Sequence, residues 1–251
     1  MKISIITVTF NSASVIKDCL ISVKSQEYKD IEHIIIDGAS SDDTLSLLKS
    51  KQEQIDVLIS ESDKGIYHAM NKGLELASGE IIGFLNSDDF YATNSVLSQV
   101  VRTFKNNPSI DACYADLIYT AKHDVNKNIR YWKSSKFTQG LFSKGWCPPH
   151  PTFFARSSVY KKFGGFNLDY SIASDVELMM RFLEINKVNA LYISELWIKM
   201  RLGGITNNSF QNILKQNKEI LYALKKHNLP NNWFQFFVNK IIKRSIQFLN
   251  K

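Results

Sequence analysis

Four short apolar runs, at positions 3–9, 33–36, 57–60 and 81–85, constrain this chain more than any other feature. Each is too short for a buried helix and rich in Ile, Val and Leu, so each reads as a strand covered on both faces. Between them the spacing turns helical. Val15, Ile16, Cys19, Leu20 and Val23 recur on one face, with Ser12 or Ser14 as the expected N-cap. Ser40 or Ser41 opens a second helix carrying Asp42 and Asp43 in its first turn, and a third is expected over 67–76. Strands alternating with helices predict an α/β fold, a mostly parallel sheet flanked by helices. Such sheets bind ligands at the carboxyl ends of their strands. Here those ends carry Thr9-Phe10-Asn11, Asp37, Asp63-Lys64 and Asn86-Ser87-Asp88-Asp89, four polar clusters on one crevice.

The last cluster anchors the chemistry. Adjacent carboxylates at a buried strand end repel unless a cation or solvent separates them, and oxygen ligands suit Mg²⁺ or Mn²⁺. A second reading stays open, in which Asp88 and Asp89 cap a helix beginning near Thr93 or sit in a turn. A nucleotide is the natural guest of the crevice, yet the chain has neither G-x-G-x-x-G nor G-x-x-x-x-G-K-[ST]. A divalent ion bridging to a diphosphate fits acidic strand ends better. Asp37 is placed to reach a base or ribose hydroxyl, or else serves as a turn residue before Gly38.

Beyond Thr93 a helix through Val96, Leu97, Val100, Val101 and Phe104 precedes a strand over 111–117. Residues 120–145 are polar, with loops and a hairpin expected. The segment Trp146-Cys147-Pro148-Pro149-His150-Pro151 suggests a rigid turn with a cis proline. A strand at 152–155 is expected to return to the sheet. Ser174 and Asp175 then open an amphipathic helix, Ser174 as cap and Asp175 favoured by the helix dipole. A strand over 190–193 leads to a glycine-bearing loop, Met200-Arg201-Leu202-Gly203-Gly204.

The net charge of +7 is uneven: residues 201–251 hold nine Lys or Arg against one acid, Glu219, whereas the first 200 hold 22 against 23. The tail alone therefore seeks an acidic partner. Plotted at about 100° per residue, Phe234, Phe237, Val238, Ile241, Ile242, Phe248 and Leu249 share one arc. Asn239, Lys240, Lys243, Arg244, Gln247, Asn250 and Lys251 share the other. Residues 232–251 thus match a basic helix at a membrane interface. The competing readings are packing on the domain or on a second copy of the chain, as in a homo-oligomer. Nucleic acid is disfavoured because the aromatic face is too apolar. No run is long enough to span a membrane, the N-terminus runs straight into a strand, and three scattered cysteines read as reduced thiols. A cytoplasmic protein, peripheral on the inner membrane, is expected.

With these residues in place, the chain resembles family 2 glycosyltransferases of the GT-A fold, especially those building bacterial surface polysaccharides. The landmarks are Thr-Val-Thr-Phe-Asn-Ser after the first strand, Asp37-Gly-Ala-Ser-Ser-Asp, Asp63-Lys-Gly-Ile-Tyr-His-Ala-Met-Asn-Lys-Gly, Gly-Glu-Ile-Ile-Gly-Phe-Leu-Asn-Ser-Asp-Asp, and Ser174-Asp175 heading its helix. The resemblance implies a GT-A domain over 1–206, its donor half about 1–117 and its acceptor half about 118–206, followed by basic helices over 207–251. It implies inverting transfer from a nucleotide-diphosphate sugar, with uridine as base, to a glycan or polyprenyl-diphosphate-linked acceptor. Thr7, Thr9, Phe10, Asp37 and Asp63 match nucleoside-binding positions. Asn86-Ser87-Asp88 matches the Asp-x-Asp motif, with Asn86 in place of the first acid and Asp88 preferred over Asp89 as metal ligand for Mn²⁺ or Mg²⁺. Asp175 matches the catalytic base, with Ser174 where the family often has Glu. Arg201, Lys64 or Lys72 can supply positive charge near the diphosphate, although Lys72 reads better as a surface cation. Trp146, His150, Gly203 and Gly204 are candidates for acceptor or diphosphate contact, with a structural role in the Pro-rich turn open for the first two. The rival readings are a nucleotidyltransferase and a non-catalytic nucleotide-sugar-binding module.

Overall fold

The computed structural model describes residues 1–203 and 209–249. The first half alternates as expected: β1 (Ile3–Thr9), α1 (Ile16–Lys24), β2 (Ile31–Asp37), α2 (Thr44–Ser50), β3 (Val57–Ser60), α3 (Ile66–Leu76) and β4 (Ile81–Phe84). A three-residue strand, β5 (Asp89–Tyr91), follows, then α4 (Val96–Asn106), β6 (Ala112–Thr120), β7 (Asn128–Trp132), β8 (Phe154–Arg156) and α5 (Ser157–Phe163). The chain continues through α6 (Ser174–Met180), β9 (Ala190–Arg201), α7 (Phe210–Lys226) and α8 (Trp233–Leu249).

One nine-stranded sheet runs β3-β2-β1-β4-β8-β6-β9-β5, with β7 paired to β6. The first four strands are parallel. Beyond β4 the sheet is mixed: β8 joins β4 and β6 antiparallel, β5 joins β9 antiparallel, and β9 runs parallel to β6. The parallel character therefore belongs to the half built from strand–helix units. β7 and β8 both run against β6, at Leu117–Thr120 and at Ala112–Cys113, so β8 returns in the direction set by the β6–β7 hairpin. Gly83 allows this return, because a Cβ there would lie 2.3 Å from the Phe154 ring.

Two apolar clusters cover the sheet. One gathers α1 and α4 residues such as Leu20, Val100 and Phe104. The other gathers α3, α5 and α6 residues with Ile220, Ala223, Leu224 and Phe236, so α7 and α8 share the core of the preceding chain.

Several local expectations change. α1 begins after Val15 with no side-chain cap, Ser12 using its carbonyl for Val15 and Ile16 instead. α2 begins at Thr44, so Asp42 and Asp43 precede it, and Asp42 accepts from the Thr44 N–H at 3.0 Å. Asp89 opens a strand, not a helix cap. Ser174 is the first residue of α6, after Ala173 at the cap position, and its hydroxyl donates to the Asn167 carbonyl. No cis peptide occurs among the described residues. Met200 and Arg201 end β9 rather than lying in a loop, because they pair with Asp89 of β5 and with β6.

α8 reverses the orientation of a tail helix docked by its aromatic arc. Phe236 is buried and Lys240 faces inward, while Trp233, Phe234, Val238, Ile241 and Ile242 are exposed, Trp233 and Ile241 by 64% and 65%. Of the tail residues on the two arcs, Asn250 and Lys251 lie outside the described residues. No helix of the described residues is long and apolar enough to cross a membrane.

Candidate active site

The strand order places the four polar strand ends side by side, and hydrogen bonds stitch them together. Ser60 donates to Asp37 Oδ2 at 2.6 Å, the Gly38 N–H donates to the Thr9 carbonyl at 2.9 Å, and the Ser12 and Ser87 hydroxyls meet at 3.0 Å. Asn11 and Ala39, both at positive φ, turn the two adjoining loops. Asn11 supports the second by accepting from the Ser41 N–H at 2.9 Å.

On the side expected to take the nucleoside, Phe10 stands 63% exposed at the crevice mouth, an apolar ring with a free face. Beneath it a Cβ on Gly38 would touch the Phe10 ring, Asp63 Oδ2 and the Thr9 carbonyl, so the three residues surround one small space. Asp63 gives its Oδ1 to His68 and Lys72 at 2.9 and 2.7 Å, leaving Oδ2 buried without a partner. The Thr9 hydroxyl is likewise unpartnered. Asp37 is fully buried and accepts from Ser40 and Ser60, which makes it a wall of this space. Lys64 is exposed on the loop. Thr7 departs from expectation: it is wholly enclosed, its hydroxyl 3.0 Å from His33 Nε2 and 3.8 Å from Cys19 Sγ, and so offers no atom to the crevice.

The acid pair lies at the end of β4. Asp89 is fully buried with Oδ1 unpartnered, while Asp88 is partly exposed. Burial pushes the Asp89 carboxyl well above its usual range, and the Asp88 charge adds to the shift; burial also raises Asp88. Asn86 explains itself here. Its amide donates to Asp89 Oδ2 at 3.2 Å, where a third carboxylate would repel. Arg201 donates to the Asp88 carbonyl at 3.0 Å and pairs with Asp18, setting a buried cation beside the acids. An orphaned carboxylate oxygen next to a half-exposed carboxylate fits a divalent cation. No third His, Cys, Asp or Glu completes a cluster among the described residues, so such an ion would keep positions for water and phosphate oxygens, unlike a closed structural site.

Asp175 sits in the first turn of α6, partly exposed. The Tyr67 hydroxyl, from the first turn of α3, lies 3.0 Å from Asp175 Oδ1 and 2.8 Å from the Ile172 carbonyl. Burial, with Asp175 adding to it, holds the Tyr67 phenol well above its ordinary value, so it stays protonated and donates. The backbone leading into α6 is held by Glu219 of α7, which accepts from the N–H groups of Ser171, Ile172 and Ala173 at 3.2, 2.9 and 2.9 Å. Burial alone would raise Glu219, but these donors and the Ser171 hydroxyl keep it below its usual value.

His150 lies between Phe84 and Phe166, with Nε2 buried and unpartnered; burial lowers its pKa, against a pull from Asp175. Trp146 is different. It packs among Tyr114, Phe137 and Phe142 and is a core residue, with no face free for a sugar. Gly203 adopts φ +127° near Lys122, and Gly204 lies outside the described residues. Lys72 is not a free surface cation, since it bridges Glu61 and Asp63 at 2.6 and 2.7 Å.

Sequence reasoning missed Tyr67, His68, Asp18 and Glu219. Tyr67 and His68 stand within a quoted motif, and Glu219 is conspicuous as the sole acid of the tail. Only the fold reveals what each one holds.

The site therefore combines an aromatic platform with free acceptors, an acid pair with an adjacent guanidinium, and a positioned carboxylate beside a buried histidine. Comparison with known proteins bears on the family and the fold. An uncharacterized glycosyltransferase of Mycobacterium tuberculosis is 32% identical over 71% of this chain and 68% of its own length. The Escherichia coli UDP-Glc:alpha-D-GlcNAc-diphosphoundecaprenol beta-1,3-glucosyltransferase WfaP is 25% identical over 99% of this chain and 98% of its own. Among solved structures, Staphylococcus aureus TarS with UDP-GlcNAc superposes with a TM-score of 0.67 at 18% identity, over all of this chain and 72% of that one. The mannosyltransferase PcManGT of Pyrobaculum calidifontis, with GDP-Man and Mn²⁺, gives 0.68 at 18% identity over 99% and 69%. At that identity the two structures establish the shared GT-A fold. The description of glycosyl transferase family 2 matches residues 4–164, and the chain belongs to that family.

Proposed function

We propose that the protein transfers a sugar, with inversion, from a uridine-diphosphate donor to a hydroxyl of a polyprenyl-diphosphate-linked glycan, at a membrane surface. The observation that carries the reading is Asp175, a part-exposed carboxylate held by Tyr67 from the helix that follows the Asp63 loop. On this reading Phe10 stacks on the base, and Asp63 Oδ2 and the Thr9 hydroxyl accept from nucleoside donors. Asp88 and Asp89 hold Mn²⁺ or Mg²⁺, which when bound offsets charge on the departing diphosphate. Arg201 adds a fixed positive charge beside that diphosphate. Asp175 takes the proton of the acceptor hydroxyl as its oxygen bonds to the anomeric carbon from the face opposite the leaving group. The carbon–oxygen bond to the diphosphate breaks, and the nucleoside diphosphate departs with that electron pair. The diphosphate-linked acceptor is suggested by the full-length relative from Escherichia coli, and the membrane surface by the exposed outer face of α8 together with the basic tail.

The test is product analysis with a panel of nucleotide sugars, Mn²⁺ and a lipid-diphosphate-linked acceptor sugar. The reading expects nucleoside diphosphate release matched by a disaccharide of inverted anomeric configuration. Tight donor binding with no transfer to any acceptor would make the protein a binding module, and retained configuration would remove Asp175 from the base role.

A further inference from the structure

α8 crosses the turn at Phe142–Lys144 and the edge strand β7 at close range. Gly145 adopts φ +67°, and a Cβ there would stand 3.0 Å from the Phe236 carbonyl and 3.3 Å from Lys240 Cβ. The inward face of α8 therefore presents Phe236, Lys240 and Arg244 at successive turns. Lys240 Nζ donates to Asn217 Oδ1 at 2.6 Å and lies 5.4 Å from the Phe236 ring centre, and no carboxylate of the described residues is within ion-pairing reach. Burial lowers its ammonium to about 8; Cys147 and Asp175 pull the value back up, and Arg244 lowers it further. Arg244 also repels Arg130, whose guanidinium stacks 3.9 Å from the centre of the Tyr119 ring. Arg244 thus lies within electrostatic reach of both Lys240 and Arg130, and Lys240 within that of Asp175. A part-buried ammonium held by a neutral amide and repelled by the next cation is costly unless an anion joins it.

We propose that Lys240, with Arg244 one turn further along α8, seats the diphosphate of a lipid-linked acceptor. This rests on the reading of Asp175 as the base. The outer face of the same helix, Trp233, Phe234, Ile241 and Ile242, is exposed and apolar. A ligand whose sugar meets Asp175 and whose chain leaves toward a lipid surface passes α8, and a phosphate ester joins those two parts. The donor diphosphate is the other source of the same chemistry. Lys240 neighbours Asp175 and Cys147, whereas the acid pair and Arg201 serve the donor, so the acceptor is favoured.

The experiment compares two acceptors carrying the same sugar, one on a short prenyl diphosphate and one as an uncharged alkyl glycoside, with the full chain and its Lys240→Met and Lys240→Arg variants. Lys240→Met should raise KM for the diphosphate acceptor about tenfold, the loss of one charge-assisted hydrogen bond. It should leave kcat, KM for the alkyl glycoside and UDP affinity unchanged, and Lys240→Arg should retain most of the diphosphate preference. A second readout is independent of turnover: geranyl diphosphate should raise the melting temperature of the wild type and not of Lys240→Met, while UDP raises both. An equal loss on both acceptors would make Lys240 a packing residue, and a loss of UDP affinity would assign it to the donor; either overturns the proposal. A wild type that uses both acceptors with the same KM overturns the seat but leaves glycosyl transfer standing, and one that uses neither overturns both.

Discussion

The Tyr67 hydroxyl lies 3.0 Å from Asp175 Oδ1, joining residues 108 positions apart in the chain. Because Tyr67 lies in the first turn of the helix that follows the Asp63 loop, this bond fixes Asp175, the proposed base, relative to the proposed donor pocket. Tyr67→Phe keeps the ring that stacks on Phe166 at 5.6 Å and removes only the hydrogen bond. It should lower kcat by about tenfold to a hundredfold, a misplacement effect, with donor affinity unchanged. Steady-state kinetics beside UDP titration checks both.

Glu219 should matter more than a surface acid. It accepts three backbone N–H groups from the residues that lead into α6. Glu219→Ala should destabilise the protein by about 1–3 kcal/mol and lower transfer through the loosened base. Denaturant unfolding and a rate measured well below the melting temperature separate the two effects.

Stability should depend on His33. Burial drives its imidazole down to about 4 from 6.5 in the ordinary case. The unfolded chain takes up a proton near pH 6.5 that the folded state refuses until about pH 4, so stability present above 6.5 is lost as pH falls toward 4. His33→Gln, which can still meet Thr7, should flatten the fall of melting temperature between pH 7 and 4.5. His150 acts in the same direction, and raised Asp88 and Asp89 in the opposite one, so the quantity to compare is the difference between wild type and variant.

Binding to anionic vesicles should depend on the outer face of α8. Replacing Trp233, Phe234, Ile241 and Ile242 with Ser should abolish co-sedimentation and leave the melting temperature nearly unchanged, since none of the four is buried. Wild-type binding should fall steeply with salt, because each Lys or Arg near such a surface contributes about 1 kcal/mol. Binding that survives the fourfold variant would place the contact elsewhere.

The parallel half of the fold was legible because its strands are buried on both faces and its helices keep a clean period. β1 and β3 have the predicted bounds, and β2 and β4 lie within a residue or two of theirs. β5 was not legible: Asp89 opens a strand whose partner, Met200, is more than a hundred residues away. β9 was seen only in part, because Ser194 and Glu195 interrupt its apolar pattern although its pairing with β6 continues past them. In the tail, periodicity separated two arcs but could not decide which faced the protein; Phe236 is buried, and Lys240 of the polar arc turns inward to Asn217. In the site, residue types singled out Asp88 and the family resemblance singled out Asp175, whereas Thr7 and Trp146 are spent on the interior, which only three-dimensional neighbours determine.

The most direct test of the account pairs donor affinity with transfer rate in two variants. Asp175→Asn keeps an oxygen for the Tyr67 hydroxyl and should bind UDP-sugar with Mn²⁺ as the wild type does while losing transfer. Asp88→Ala should lose the Mn²⁺-dependent part of donor binding. Equal weakening of donor binding in both variants, or transfer surviving in Asp175→Asn, would contradict the division of the crevice into an acid pair for the donor and a base for the acceptor.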